Sequence, residues 1–170
     1  MNNFKEIKPT ELTENPFKMI GTDWLLVTAE NDNKCNMMTA SWGGVGIMWN
    51  KPVVFTFIRP QRYTFGMLES GEYYSLCVLN DSYRNVLKLC GTKSGRDIDK
   101  VKETGLTVEH IDGVPYFKEA EIVLICKKLY AQNLNSDNLI EKSLASNYNA
   151  EGTDWHKMYI NEIVKVLVKE

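Results

Sequence analysis

Short apolar runs separated by polar turns are the dominant pattern along this chain. Strands are predicted where Val, Ile, Phe and Tyr cluster, because these residue types suit a pleated, largely buried surface. Such runs occupy residues 24–29, 36–42, 52–59, 73–79, 106–109, 121–132 and 158–169. Helical spacing, a cap at Thr64 or a terminal glycine predicts short helices over residues 65–69, 82–89 and 97–103. Many short strands with few helices indicate a mainly β, antiparallel barrel rather than a parallel doubly wound sheet.

Three parts of the chain depart from this regular pattern. Residues 1–16 contain Pro9 and Pro16 and are expected to form an irregular arm of one domain that spans residues 1–170. The glycines of Gly43–Gly46 are expected to break the second strand. The last predicted strand alternates only partly between apolar and polar residues, so we expect both of its faces to be covered, one of them by a partner subunit.

Composition and charge exclude several classes of function. The chain is 44% apolar and 25% charged with a formal net charge of −2, which gives no electrostatic attraction to DNA or to an acidic membrane surface. The amino terminus lacks the order of a secretory signal, and no apolar run approaches the ~18 residues of a membrane span. Four widely spaced cysteines without a C-x-x-C pair are expected to be reduced thiols. We therefore predict a cytoplasmic protein without nucleic-acid or membrane partners.

The segment Asn36–Gly44 joins a predicted strand to a glycine-rich bend. Its small side chains would let a flat ligand lie against the backbone, whose N–H groups could then reach acceptor atoms of that ligand. Taken alone, the segment is better explained as a strand that ends in a tight bend, with Thr39 and Ser41 facing solvent.

The segment Arg59–Thr64 lies where a strand ends and a helix begins. Two guanidinium groups, a hydroxyl and a helix amino terminus together suit a phosphate. The coincidence of Arg59, Arg62 and Thr64 indicates an anion site, and two solvated loop arginines are the alternative.

The segment Cys90–Lys100 is rich in glycine, hydroxyl groups and cations. It does not fit the G-x-x-x-x-G-K-[ST] pattern of phosphate loops, and an exposed connection behind a helix that ends at Gly91 also explains it. Lys93 and Ser94 could still add a charge and a donor to an anion site assembled from other segments.

Other chemistries have little support in the sequence. His110 and His156 are the only histidines, and no cluster of His, Cys and carboxylates has metal-ligand spacing. The chain has neither the G-x-S-x-G elbow of acyl-transfer enzymes nor the G-x-G-x-x-G fingerprint of a Rossmann dinucleotide site.

Together the three segments resemble the flavin reductase-like family, the FMN-binding split barrels that include flavoredoxin-type proteins. The matching stretches are residues 36–42, 51–64 and 90–97, and residues 156–163 resemble the family's last strand. The similarity runs from about Phe17 onward and depends on the order and spacing of these stretches.

The resemblance implies an antiparallel split β-barrel of Greek-key type with a few short helices. It also implies a homodimer with FMN near the subunit interface, in which the flavin carries the redox chemistry and no side chain is assigned as acid or base. The residues that it places around the cofactor are Met38, Thr39, Ala40, Ser41 and Trp42 at the ring, and Arg59, Arg62, Thr64, Lys93 and Ser94 at the phosphate.

One departure from the family bears on the electron donor. Relatives that use nicotinamide often carry Gly-Asp-His before the last strand, where this chain has Gly-Thr-Asp-Trp-His at residues 152–156. His156 is therefore either a nicotinamide contact or a surface or interface histidine. Two functions stay open: an FMN-dependent oxidoreductase that uses NAD(P)H, and an electron carrier in which bound FMN exchanges electrons with redox partner proteins. The small-residue segment and the phosphate cluster weigh against a third, a dimer that has lost flavin.

Overall fold

The structure, a computed structural model, describes residues 4–170, and residues 1–3 of the predicted arm lie outside the described residues. Within this range, antiparallel strands dominate and short helices pack around them. The α-helices are α1 (Tyr63–Ser70), α2 (Arg84–Thr92) and α3 (Lys100–Thr104). The strands are β1 (Phe4–Ile7), β2 (Leu25–Asn31), β3 (Lys34–Ala40), β4 (Gly43–Met48), β5 (Lys51–Ile58), β6 (Tyr73–Val78), β7 (Val108–Ile111), β8 (Val114–Phe117), β9 (Ile122–Asn133) and β10 (Lys157–Lys169).

One curved antiparallel sheet carries most of the chain. Its strands follow the order β3–β2–β6–β9–β10–β5–β4, and β3 returns to contact β5. β9 pairs along one side of β10, while β5 and β1 share its other side. β7 and β8 form a separate hairpin. The predicted mainly β, antiparallel fold with a few short helices is confirmed.

Apolar side chains cover both faces of this sheet. One buried cluster includes Leu76, Leu124 and Ile163, and a second includes Leu87 of α2 and Phe117 of β8. Tyr159, Ile163 and Val166 of β10 belong to the first cluster. Leu167 belongs to the second, because successive side chains of a strand point to opposite faces. On the second face only Leu167 of β10 belongs to the buried cluster, and Val164 is 37% exposed, so coverage of part of β10 by a partner subunit stays a prediction.

Two tight turns fix the register of neighbouring strands. β2 joins β3 through Asp32 and Asn33, and β4 joins β5 through Trp49 and Asn50, whose φ angles are 49°, 58°, 51° and 57°. Two consecutive positive φ angles characterise the type I′ turn, whose twist matches that of the paired strands. Such a turn suits Asp and Asn but disfavours a bulky residue such as Trp49, so strand pairing dictates that turn.

The prediction that Gly43–Gly46 break the second strand is wrong in position, because β3 already ends at Ala40 and these residues begin β4. A Cβ atom at Gly43 would lie 2.7 Å from the carbonyl oxygen of Phe55 in β5. Glycine therefore permits close pairing of β4 with β5.

The predicted irregular arm also needs correction, since Phe4–Ile7 forms β1 and pairs with residues 166–169 of β10. Four residues whose partner lies at the other end of the chain carry too little local pattern to be recognised. β8 was not predicted, because proline is uncommon within strands and Pro115 lies in this short buried one.

Within residues 4–170, no helix is long and apolar enough to cross a membrane.

Candidate functional site

The end of β3 and the link that follows it form one wall of a cavity of about 230 Å³, here named the shelf cavity. Met38 and Ala40 are buried, Thr39 is half-buried, and Ser41 and Trp42 are exposed, so the strand passes from core to surface along this wall. The structure thus gathers the predicted ring residues, both predicted arginines and His156 around one space. The lining residues are Met38, Thr39, Ala40, Ser41, Trp42, Phe57, Arg59, Arg62 and His156.

Rigid elements hold this wall in place. The Thr39 hydroxyl donates to the carbonyl oxygen of Leu87 in α2 at 2.6 Å. At the end of the same helix, a Cβ atom on Gly91 would lie 3.5 Å from the Cβ atom of Thr39. The end of β3 is therefore packed against α2, and this packing preorganises the strand's backbone for a ligand.

A second cavity, of about 130 Å³ and here named the loop cavity, adjoins the shelf cavity at Arg62, which lines both. Three separate parts of the chain form it: the start of α1, the loop after α2, and the start of α3. Its cationic side chains differ in exposure, because Lys93 is exposed whereas Lys100 is only 3% exposed. The lining residues are Gln61, Arg62, Tyr63, Thr64, Thr92, Lys93, Ser94, Gly95 and Lys100.

Arg62 and Lys100 meet at the carboxyl end of α2. The two terminal nitrogens of Arg62 donate to the carbonyl oxygens of Cys90 and Gly91, each at 2.9 Å. Lys100 Nζ donates to the carbonyl oxygens of Met37 and Cys90, at 2.8 and 3.0 Å. The last carbonyls of a helix lack partners within it and favour a nearby cation. Burial, with a smaller contribution from Arg62, lowers the pKa of Lys100 to about 8.

Thr64 does not cap α1 as predicted, because the helix begins at Tyr63 and Arg62 is its N-cap residue. Instead the buried Thr64 hydroxyl accepts a hydrogen bond from Asn36 Nδ2 at 2.7 Å. Its own O–H has no acceptor among residues 4–170, so it can donate into the loop cavity that Thr64 lines. A Cβ atom at Gly95 would overlap the side chain of Asn36, so glycine is needed for the loop to approach this closely.

Arg59 faces a different part of the structure. Its guanidinium forms an ion pair with Asp154 and donates to the carbonyl oxygen of Asn147 at 2.8 Å. It also lies 5.3 Å from the centre of the Tyr148 ring. All three partners belong to residues 134–156, which join β9 to β10 and are here named the β9–β10 loop. Arg59 therefore lines the shelf cavity but does not line the loop cavity.

His156 ends the β9–β10 loop and is 7% exposed. Its ring packs against Trp42, with ring centres 4.9 Å apart, and its Nδ1 lies 3.1 Å from the Tyr148 hydroxyl. Burial, then the positive charge of Arg59, lowers the pKa of His156 to about 4, and Asp154 opposes this change only in part. The imidazole is therefore neutral at neutral pH.

Residues 4–170 offer this site neither a cluster of metal-ligating side chains nor a reactive thiol. No group of three His, Cys, Asp or Glu side chains within residues 4–170 could hold a metal ion. Cys90 lies beside Lys100 and Arg62, but burial outweighs both cations and raises the pKa of its thiol to about 11. This thiol is thus protonated and unreactive at neutral pH.

A comparison with protein families identifies the chain. The sequence profile of the flavin reductase like domain matches residues 17–170. The chain belongs to the flavin reductase-like family. No curated protein sequence matches the chain.

Solved structures support the same fold at low sequence identity. An FMN-binding protein from Thermus thermophilus is 19% identical with a TM-score of 0.69, over 96% of this chain and 78% of that one. Flavoredoxin of Desulfovibrio vulgaris (Miyazaki F) is 24% identical with a TM-score of 0.65, over 86% and 69%. A split-barrel flavin reductase-like protein from Shewanella frigidimarina is 20% identical with a TM-score of 0.68, over 95% and 77%. The fold of this flavin reductase-like chain is therefore the split β-barrel.

The flavin reductase-like fold separates the predicted phosphate residues into two groups. Arg62, Thr64, Lys93 and Ser94 line the loop cavity, whereas Arg59 is paired with the β9–β10 loop. Sequence reasoning missed the contributions of Asn36 and Lys100, although both lie within the quoted segments. The cap that Asp99 forms on α3 is a sequence signal for where that helix starts, but only tertiary packing turns Lys100 toward α2.

The lowered pKa of His156 predicts acid-sensitive stability. Between about pH 4 and its ordinary pKa of about 6.5, the unfolded chain binds a proton that the folded chain does not. The contribution of neutral His156 to the free energy of unfolding is thus complete above about pH 6.5. It decreases below that pH and is lost as the pH falls through about 4. From pH 7 to pH 4, wild type should lose about 1–3 kcal/mol more of its free energy of unfolding than His156→Gln, measured by urea denaturation. The exposed His110 gives the control: His110→Gln should follow wild type, and parallel pH curves for wild type and His156→Gln would contradict the prediction.

Proposed function

We propose that this chain binds one FMN per subunit and acts as an FMN-dependent oxidoreductase that takes electrons from NAD(P)H. The observation that carries the proposal is the junction of the two cavities at Arg62. On one side is a space bounded by small residues and an exposed aromatic ring, and on the other is a cationic space with hydroxyl donors. A flavin mononucleotide has this bipartite chemistry, with a flat ring at one end and a phosphate at the other.

The shelf cavity suits the flavin ring. Ala40 and Ser41 keep side-chain bulk low on one wall, so a flat ligand can approach the backbone there. Bound flavin would supply the redox chemistry, while the protein binds and orients it. The similar Thermus protein is an FMN-binding protein and the similar Desulfovibrio protein is a flavoredoxin, which supports the same ligand.

The loop cavity suits the phosphate. Arg62 and Lys100 contact only neutral carbonyl oxygens in the contacts described above, so their charges are available to an anion. The Thr64 hydroxyl has a proton to donate, and Lys93 and Ser94 lie on the loop that closes the cavity. We assign the phosphate to Arg62, Thr64, Lys93, Ser94 and Lys100, and not to Arg59, whose charge Asp154 neutralises.

One observation favours an alternative function, a flavoredoxin-type electron carrier without direct NAD(P)H activity. The β9–β10 loop is fastened to Arg59 by an ion pair and a hydrogen bond, and both Arg59 and His156 line the shelf cavity. A nicotinamide would have to stack on the flavin beside this fastened loop. If the loop stays closed, electrons would pass instead to redox partner proteins.

We further propose that the chain is a homodimer. The shelf cavity is smaller than the ~300 Å³ at which ligand pockets usually begin, so one subunit encloses a flavin ring incompletely. An apolar hollow of about 430 Å³ shares Ser41 and Trp42 with it and continues to Val45 of β4. Nearby on β4 and its turn, Ile47 and Trp49 are 69% and 52% exposed. A second copy covering this surface would complete the ring's surroundings.

A cytoplasmic location fits the state of the cysteines. Cys35, Cys77, Cys90 and Cys126 are all free thiols, and burial raises the pKa of each. Free thiols are typical of a reducing compartment.

The proposed function is tested with the purified protein and FMN. Titration should show about one FMN per chain with a dissociation constant below tens of micromolar, and no binding in that range would refute the proposal. Anaerobic addition of NADH or NADPH should then bleach the flavin absorbance. Bound flavin that only a protein or chemical reductant can bleach would favour the electron carrier instead.

The phosphate assignment predicts a difference between FMN and riboflavin, which lacks the phosphate. Thr64→Val removes one hydroxyl at constant shape, so it should weaken FMN roughly ten- to a hundredfold, as expected for a lost charge-assisted hydrogen bond. Riboflavin affinity should change by less than about twofold. Thr28→Val, at an equally buried threonine of β2 away from both cavities, should affect neither ligand. Equal losses for FMN and riboflavin in Thr64→Val would contradict the assignment.

The dimer proposal predicts that a charge on β4 separates the subunits. Ile47→Glu should shift the protein from dimer to monomer in sedimentation experiments at micromolar concentration, because it buries an unpaired carboxylate in an apolar contact. Ile140→Glu, in the β9–β10 loop and 99% exposed, is the matched control and should remain dimeric. A wild-type monomer that binds FMN would refute the proposed interface.

A further inference from the structure

Tyr148, in the β9–β10 loop, makes contacts that the proposed function does not use. Its ring stacks on Trp155, with centres 3.9 Å apart and an interplanar angle of 18°. The guanidinium of Arg59 lies 5.3 Å from the same ring, and Asp154 holds that guanidinium in an ion pair. The phenol is thereby fixed with its hydroxyl 3.1 Å from Nδ1 of His156.

The other ring nitrogen of His156 has a different environment. Nε2 has no hydrogen-bond partner within residues 4–170, yet the one fully buried unpaired polar side-chain atom in that range is Asn161 Oδ1. Nε2 is therefore accessible, and the space that His156 lines is the shelf cavity.

The direction of the hydrogen bond follows from the chemistry of the two groups. A neutral imidazole has one N–H donor and one bare acceptor nitrogen, and burial beside Arg59 keeps His156 neutral. The phenolic oxygen is a weak acceptor because its lone pair is shared with the ring, whereas its O–H is a good donor, strengthened by the cation beside the ring. No other acceptor for this O–H exists among the contacts of residues 4–170, so the O–H donates to Nδ1.

We propose that Tyr148 is a positioning residue that holds neutral His156 as the Nε2–H tautomer and so presents an uncharged hydrogen-bond donor to the shelf cavity. The tautomer follows from contacts within the chain. The use of that donor rests on the proposed function, and its acceptor is a carbonyl or carboxamide oxygen, on the flavin ring or on a nicotinamide stacked upon it. An uncharged donor suits such a neutral oxygen without the desolvation cost of a cation.

The tautomer is measured by ¹H–¹⁵N correlation spectra of the imidazoles at pH 7 in uniformly labelled, flavin-free protein. Only two histidines are present, and His110 serves as an internal reference. Wild type should show Nε2 of His156 at the shift of a protonated nitrogen and Nδ1 at that of a bare nitrogen, each near its limiting value. An Nδ1-protonated ring overturns the proposal, and this result needs no variant to fold.

Tyr148→Phe tests the role of the hydroxyl, because phenylalanine keeps the ring that stacks on Trp155. The two nitrogen shifts of His156 should move toward each other as the tautomers mix, while those of His110 stay in place. Tyr130→Phe, which removes an exposed hydroxyl bonded to Gln132, is the matched control and should leave His156 unchanged. Unaltered His156 shifts in Tyr148→Phe overturn the proposal.

A final pair of variants identifies the acceptor. His156→Leu removes the donor, whereas His156→Gln introduces a side-chain amide that can place an N–H near the position of Nε2. If the flavin accepts, His156→Leu should weaken FMN roughly two- to tenfold and His156→Gln should restore it. If a nicotinamide accepts, FMN affinity should hold and KM for NADH or NADPH should rise by the same factor. No effect on either overturns the use of the donor, whereas wild type that fails to bind FMN refutes the proposed function and leaves the tautomer measurement standing.

Discussion

The half-buried Arg62 and the buried Lys100 converge on the carbonyl end of α2, and the candidate site depends on this contact. The hydrogen bonds of these two side chains connect four parts of the fold: the start of α1, the end of α2, the start of α3 and the backbone of β3 at Met37. Each buried carbonyl left without its donor would cost about 1–3 kcal/mol. The walls of the shelf cavity and the loop cavity are thus held by one shared set of hydrogen bonds, so a substitution of either cation should disturb both cavities.

The same contact leaves positive charge at the site. Carbonyl oxygens accept two hydrogen bonds from Arg62 and two from Lys100 without neutralising either charge, and a buried cation without a counter-charge is costly. An anion in the loop cavity would relieve that cost, so ligand binding and stability should be coupled there. Arg59 has the opposite arrangement, because Asp154 neutralises it and its role is to fasten the β9–β10 loop. Two arginines three residues apart in sequence therefore perform different tasks.

The shelf cavity combines a neutral interior with an incomplete boundary. His156 carries no charge at neutral pH, and Trp42 stands between the cavity and the apolar hollow beside β4. This arrangement leaves the proposed ring site dependent on two further parts, the β9–β10 loop on one side and the proposed second subunit on the other. Regulation of access by either part would act without altering the proposed phosphate contacts, which lie on the far side of Arg62.

Local pattern was enough for much of this protein. The β-branched and aromatic runs predicted most strands, because burial in a sheet selects those residue types, and the order of three polar segments was enough to indicate the family. It was not enough for elements whose partners are distant or whose residues are unusual. β1 is a strand only because it pairs with β10. β4 is a strand because Gly43 lets it pair closely with β5.

The sequence by itself determined which chemical groups are available: a small-residue strand end, hydroxyls, and cations near helix ends. Only the tertiary structure decided what each group does, because a side chain's role depends on the partners that folding brings to it. Asp154 is 95 residues from Arg59 and Asn36 is 28 residues from Thr64, and no periodicity or spacing links such pairs. Tertiary packing paired Arg59 with Asp154, placed Thr64 at the loop cavity, and brought Lys100 to the end of α2.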